Sequence, residues 1–123
     1  MGLDQYAVVR FPAKGYIDPI TFIQWRKHNR LHGWMENLYR SRGGEDVFNT
    51  ETELSLSLDD LDALERDIVQ GKLPETRGFF FGGDSYEQYA HPMYGDRRID
   101  MEFLKKARNC IAHGGEITYT SWW

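Results

Sequence analysis

Glycine positions divide this chain into segments and constrain its fold more than any other feature. Gly71 and the glycine pairs at 43–44, 82–83 and 114–115 each follow a run with regularly placed apolar residues. Glycine ends helices and marks turns because it adopts backbone conformations that other residues avoid. The chain therefore reads as a series of short elements, each of which is bounded by a glycine.

The first segment predicts a strand followed by a long helix. Residues 6–11 are rich in β-branched and aromatic side chains, and Pro12 begins a turn after them. Asp18 followed by Pro19 is typical of a helix start. Apolar residues then recur at helical spacing, at Ile20, Ile23, Leu31, Trp34, Met35 and Leu38. These patterns predict strand one at 6–11 and helix one over about 19–40.

Strands and helices continue to alternate in the remaining segments. The further predicted elements are strand two at 52–57, a second helix that ends at Gly71, strand three at 78–83, helix three at about 99–113 and a last strand from 117 onward. Ser57 and Asp60 form the capping box that starts the second helix. The order β-α-β-α-β-α-β predicts a single α/β (α+β) domain over residues 1–123, with a roughly four-stranded sheet and packed helices.

Composition and charge exclude several classes of function. With 41% hydrophobic and 28% charged residues, the chain has the composition of a globular domain. Its net charge of −4 argues against binding duplex nucleic acid, which needs a broad cationic face. The lone Cys110 cannot form an internal disulfide, and no apolar run reaches the length of a membrane span. We therefore expect a cytoplasmic protein without a membrane partner.

Residues 25–34 crowd cations, imidazoles and indoles into one short segment and are the first candidate site. A guanidinium such as Arg26 beside the amide of Asn29 can hold a phosphate or a carboxylate through paired hydrogen bonds. Pairing with acidic neighbours on the surface is the alternative. Lys27 lies inside the apolar stripe. Either the aliphatic part of its side chain covers the edge of the core, or its amine lies at the edge of a pocket.

His28 and His32 are four residues apart, a spacing at which two imidazoles on one helix can share a metal ion. The segment lacks the glutamate that follows the first histidine in zinc hydrolases. We therefore predict neither a metal site nor a cofactor.

Residues 82–98 are the second candidate site, because they combine glycines and tyrosines without a clear period. Gly82 lets a backbone approach an anion closely, and Tyr86 and Tyr89 can stack on a base or cover the sheet. No Gly-Lys-Ser/Thr ending supports a nucleoside-triphosphate loop. A pocket between helix one and this loop is predicted. Its candidate ligand-binding residues are Trp25, Arg26, Lys27, Asn29, His32, Gly82, Tyr86 and Tyr89.

The same motifs resemble those of a family of small, mostly uncharacterised tailed-bacteriophage proteins. The likeness rests on Met1-Gly2-Leu3-Asp4, on Trp25-Arg26-Lys27 with Asn29, His32 and Trp34, on Gly78–Gly82 with Tyr86 and Tyr89, and on Tyr119, Ser121 and Trp122. The resemblance implies a phage accessory protein made in the cytoplasm of the infected bacterial host. Such proteins often disarm host defence or redirect host enzymes.

Three functions are compatible with these patterns. The leading hypothesis is a non-enzymatic protein that binds a small anionic, nucleotide-like ligand, with Arg26 and Lys27 neutralising charge, Asn29 and His32 orienting the ligand, and Tyr86 or Tyr89 stacking. The second is an inhibitor that binds a host or defence enzyme through exposed aromatic residues. The third is a hydrolase with His32 as base, for which the sequence offers no convincing nucleophile or second acid. A homo-oligomer built on the loop tyrosines and on Trp122-Trp123 stays open.

Overall fold

The computed structural model describes residues 3–48, 52–74, 86–93 and 95–123, with the backbone alone at residues 16, 17, 86 and 88. The strands are β1 (Asp4–Phe11), β2 (Tyr16–Arg26), β3 (Leu54–Leu56) and β4 (Glu116–Trp122). The helices are α1 (Asn29–Ser41), α2 (Leu58–Val69), the single-turn α3 (Tyr86–Tyr89) and α4 (Asp96–Ala112). A 3-10 turn at Pro12–Lys14 joins β1 to β2.

The four strands form one antiparallel sheet in the order β2-β1-β4-β3. The predicted fold class, α+β with a four-stranded sheet, is therefore confirmed. The membership of the sheet differs from the prediction, because β2 supplies a strand where a helix was expected. The predicted third strand at 78–83, which contains Gly82, lies outside the described residues.

Strand β2 shows that the first part of predicted helix one was wrong. Ile23 pairs with Ala7 and Trp25 pairs with Gln5, so this stretch continues a hairpin with β1. Its β-branched and aromatic residues favour an extended chain, and the ladder with β1 satisfies their backbone groups. Pro19 lies within β2 and does not begin a helix. The helix starts only at Asn29.

The other boundaries agree more closely with the sequence. The capping box of Ser57 and Asp60 is present at the start of α2, which ends before Gly71 with its φ of 67°. The predicted strand two is shorter in the structure, where it forms β3. The predicted last strand is present as β4. Helix three begins at Asp96, ahead of its expected start near 99.

The core lies on one face of the sheet, where α1, α2 and α4 pack. Alternate strand residues face it, and the buried cluster includes Ala7, Val9, Ile23, Trp25, Leu54, Leu56, Ile117 and Tyr119 from the sheet. The helices contribute Leu31, Met35, Leu61, Leu64, Ile68, Phe103, Leu104 and Ala107. By alternation, Tyr6, Thr120 and Trp122 lie on the other face, which we call the outer face. Trp122 is 62% exposed there.

Candidate functional site

A fully buried carboxylate, Asp100 of α4, lies beneath the junction between β2 and α1. The Trp25 indole N–H donates to its Oδ1 at 2.9 Å, and the Tyr89 hydroxyl donates to its Oδ2 at 2.6 Å. The Nε2 of His28 lies 2.8 Å from the same Oδ2. Buried polar groups are stable only when they are paired, and these three contacts pair the carboxylate. Asp100 therefore connects β2, the start of α1, α3 and α4.

A second set of hydrogen bonds, centred on Gln5 of β1, extends this site toward the middle of the sheet. The Gln5 side chain accepts from the His28 backbone N–H at 2.8 Å and donates to the His28 carbonyl at 3.0 Å. It also donates to the Tyr119 hydroxyl, which lies 2.9 Å from Nδ1 of His32. We call these residues the polar cluster: Gln5, Trp25, His28, His32, Tyr89, Asp100 and Tyr119.

Burial sets the protonation states of His32 and Tyr119, which form the inner end of the polar cluster. It lowers the pKa of His32 to about 4, although the charge of Glu36 acts in the opposite direction. Burial also raises the pKa of the Tyr119 hydroxyl far above its usual range. Both groups are therefore neutral near pH 7, and their hydrogen bond carries no charge.

Asp96, in the first turn of α4, connects the polar cluster to the surface. Its Oδ2 lies 3.9 Å from Nδ1 of His28, and its side chain is partly exposed. Burial raises the pKa of Asp96, His28 opposes the shift and Asp100 adds to it. His28, whose side chain is 3% exposed, is thus enclosed by two carboxyl groups.

Arg26 and Lys27 lie at the surface beside the polar cluster. The Arg26 side chain is 75% exposed, and its Nε lies 3.8 Å from the Asp4 carboxylate. Lys27 is exposed and has a φ of 57°, in the left-handed region that non-glycine residues avoid. Its backbone N–H donates to the Leu3 carbonyl at 2.7 Å. Lys27 therefore lies outside the core stripe in which the helical prediction placed it.

The predicted site residues separate into two layers. Trp25, Asn29, His32 and Tyr89 are buried, whereas Arg26 and Lys27 are exposed. The structure brings the 25–34 segment and α3 together, because Trp25 and Tyr89 donate to the same carboxylate. Gly82 and the side chain of Tyr86 lie outside the described residues.

The two histidines of the segment do not converge on one point. His28 contacts Asp100, and His32 contacts Tyr119. Across the described ranges, no group of three or more His, Cys, Asp or Glu side chains is arranged to hold a metal ion.

Sequence reasoning missed Asp100, Gln5 and Tyr119. A signal for Asp100 was present, because it precedes Phe103, Leu104 and Ala107 at helical spacing and so lies on the buried face of α4. A carboxylate in an apolar stripe indicates a paired, buried charge. Gln5 and Tyr119 gave no comparable local signal.

Comparisons of the chain with protein-family models, with curated proteins and with solved structures found no match. In the described part of the chain, no helix combines the length and the apolar composition that a bilayer crossing requires. No relative therefore supplies a function for the polar cluster.

Proposed function

We propose that this protein binds a small anionic, nucleotide-like ligand without turnover, at the surface above the polar cluster. The ligand-contacting surface, which we call the cationic rim, comprises Arg26, Lys27, Arg97 and Arg98. The observation that carries the proposal is the left-handed backbone of Lys27, an exposed residue that directly follows the exposed Arg26 in the chain. Backbone strain of this kind is frequent at binding sites, where the surrounding contacts maintain it.

The charges around the junction favour an anion. Arg97 and Arg98 follow Asp96, whose carboxylate contacts His28, and Lys27 directly precedes His28 in the chain. Cationic residues are therefore sequence neighbours of both members of this contact. A guanidinium and an amine together suit a phosphate, because the first pairs with two oxygens and the second adds a point charge.

In this proposal the buried residues support the rim and do not touch the ligand. Asn29 and His32 are buried, so we assign them to positioning the junction rather than to orienting the ligand directly. A binding surface stays in its productive geometry when packed, hydrogen-bonded residues lie beneath it. Tyr86 begins the helix whose Tyr89 binds Asp100, and it is our candidate for stacking on a base.

Binding without turnover is supported by the state of the two histidines. His28 and His32 are buried and hydrogen-bonded within the polar cluster, where neither meets solvent as a general base requires. The resemblance to phage accessory proteins favours a use in the cytoplasm of a bacterial host. There the protein would sequester a nucleotide signal of host defence.

Thermal unfolding with a panel of mononucleotides, dinucleotides and cyclic nucleotides tests the proposal. A ligand that binds the folded state raises the melting temperature by mass action. We expect at least one member of the panel to raise it, and Lys27→Gln and Arg26→Gln to reduce that rise. Lys14→Gln removes an exposed cation from the turn that joins β1 to β2, at the opposite end of the hairpin from Arg26, and should keep the rise in melting temperature. No rise with any nucleotide, or an equal loss in Lys14→Gln, would refute the proposal.

A second candidate function, binding to a host or defence protein, is favoured by Trp122 on the outer face. This indole is 62% exposed, and its strand pairs with β1, where Tyr6 lies on the same face. Tryptophan, tyrosine and arginine are the residues that most often anchor protein interfaces. Arg10 lies on that face too and pairs with Glu53 at 3.3 Å.

Affinity capture from bacterial lysate tests this second candidate. We expect the wild-type chain to retain a stoichiometric partner that Trp122→Ser does not retain. Val69→Ser removes a similarly exposed apolar side chain from α2 and should retain the partner. Equal capture by the Trp122 and Val69 variants, or capture of no partner, would count against the outer face.

A further inference from the structure

A groove of about 690 Å³ runs beside β3, at the edge of the sheet opposite β2. Its apolar lining comes from Leu56, Leu58, Ile111 and Ile117. Leu58 is 48% exposed although it begins a helix that packs on the core. The groove therefore offers apolar surface to solvent at a sheet edge, away from the polar cluster.

The side chain of Arg42 binds the backbone at this edge of the sheet. Its Nη1 donates to the Ser55 carbonyl at 2.6 Å, and its Nη2 contacts the Asp60 carboxylate. In the described part of the sheet, β3 pairs with β4 alone, and the hydrogen bond from Arg42 indicates that the Ser55 carbonyl faces the other side of β3. A guanidinium thus takes the place at this carbonyl that the N–H of an added strand would take.

The charge of the groove is negative. Asp59, Asp60 and Glu116 line it together with Arg42, which pairs with Asp60. Asp59 and Glu116 are exposed, so their carboxylates face solvent at the opening of the groove. An extended segment that lies along β3 would meet an apolar floor and two carboxylates.

We propose that this groove binds an extended segment of a partner protein in which a basic residue lies next to apolar ones. The segment adds to β3 as a further strand, displaces Arg42 from Ser55 and places its basic side chain beside Asp59 and Glu116. Main-chain hydrogen bonds supply affinity in this mode of recognition, and the side-chain pockets supply specificity. The proposal is independent of the nucleotide-binding function, because it concerns the opposite edge of the sheet.

Fluorescence anisotropy with labelled hexapeptides tests the proposal. The probe alternates arginine and valine, and two control peptides replace arginine by glutamate or replace two valines by proline. We expect the arginine probe to bind the wild-type chain at least tenfold more tightly than either control. Proline cannot donate to a strand ladder, so equal binding of the proline peptide would reduce the interaction to charge attraction and overturn the proposal.

Variants of the chain locate the binding. The double change Asp59→Lys and Glu116→Lys should weaken the arginine probe at least tenfold, whereas Glu87→Lys on α3 should change its affinity by less than twofold. Arg42→Ala should strengthen binding severalfold, because it frees the Ser55 carbonyl and removes the competing guanidinium. Weaker binding to Arg42→Ala, in a variant that unfolds at the wild-type temperature, would also overturn the proposal.

Discussion

Among the described non-glycine residues, Lys27 is the one with a positive φ. A side chain in the left-handed region costs about 1–2 kcal/mol relative to glycine, and part of that is offset by the greater freedom of glycine in the unfolded chain. We therefore expect Lys27→Gly to raise the free energy of unfolding by about 0.5–1 kcal/mol in urea. Lys105→Gly, in the middle of α4, should lower it by about 1 kcal/mol. Destabilisation by both changes would contradict the assigned backbone of Lys27.

His32 makes the stability of the fold depend on pH. Its folded-state pKa of about 4 lies below the value of 6.5 expected in the unfolded chain, so the unfolded state binds a proton first as the pH falls. The contribution of neutral, buried His32 to the free energy of unfolding is therefore complete above pH 6.5. It is lost progressively between pH 6.5 and 4, by up to about 3 kcal/mol.

Urea unfolding at pH 7, 5.5 and 4.5 measures this loss. His32→Asn should show a shallower dependence than the wild-type chain, since it removes the titrating group. His113→Asn, which changes an exposed histidine at the end of α4, should follow the wild-type curve. Parallel curves for wild type and His32→Asn would refute the assignment.

At the scale of elements, the start of α2 is held by a reciprocal pair of hydrogen bonds. The Ser57 hydroxyl accepts from the Asp60 N–H at 3.2 Å, and the Asp60 carboxylate accepts from the Ser57 N–H at 2.8 Å. We expect Ser57→Ala to lower the free energy of unfolding by about 1 kcal/mol. Ser41→Ala at the exposed end of α1, whose hydroxyl donates to a carbonyl of its own helix, should cost less. Equal losses in urea would show that the cap contributes nothing specific.

Local signals decide which elements could be predicted. The start of α2 is encoded within four residues and Gly71 marks its end, so the sequence predicted it well. Asp18 and Pro19 carry an equally local helix-start signal, yet the chain there is extended because β1 lies alongside and pairs with it. Tertiary pairing overrides local propensity in such cases, and no pattern within residues 16–26 identifies the partner strand.

At the scale of the whole molecule, the polar cluster joins segments that are far apart in the chain. The crowded residues of 25–34 revealed that a site was present, but Asp100 and Tyr119 are its central partners and lie far beyond that segment. Periodicity describes one element at a time, so it could not tell which elements meet. The sequence therefore could not distinguish the exposed cationic rim from the buried polar cluster, and the structure was needed to do so.

Asp100→Asn tests how strongly the polar cluster holds these elements together. The change removes a buried carboxylate that accepts from Trp25 and Tyr89 and contacts His28, and it turns an amide toward one of those donors. We expect the free energy of unfolding to fall by about 3–5 kcal/mol in urea. Asp96→Asn, at the partly exposed end, should cost less than half as much. Similar losses for the two variants would show that Asp100 has no special role.

The pairing of Asp4 with Trp122 has a consequence for synthesis on the ribosome. These residues are Cα partners in the two central strands, so the middle of the sheet joins opposite ends of the described chain. While the chain is being made, β1 can pair with β2 but has no β4 beside it. Ala7, Val9 and Ile23 then have no complete core to enter until the last strand emerges. The nascent hairpin therefore exposes apolar side chains until β4 has been made and can complete the sheet.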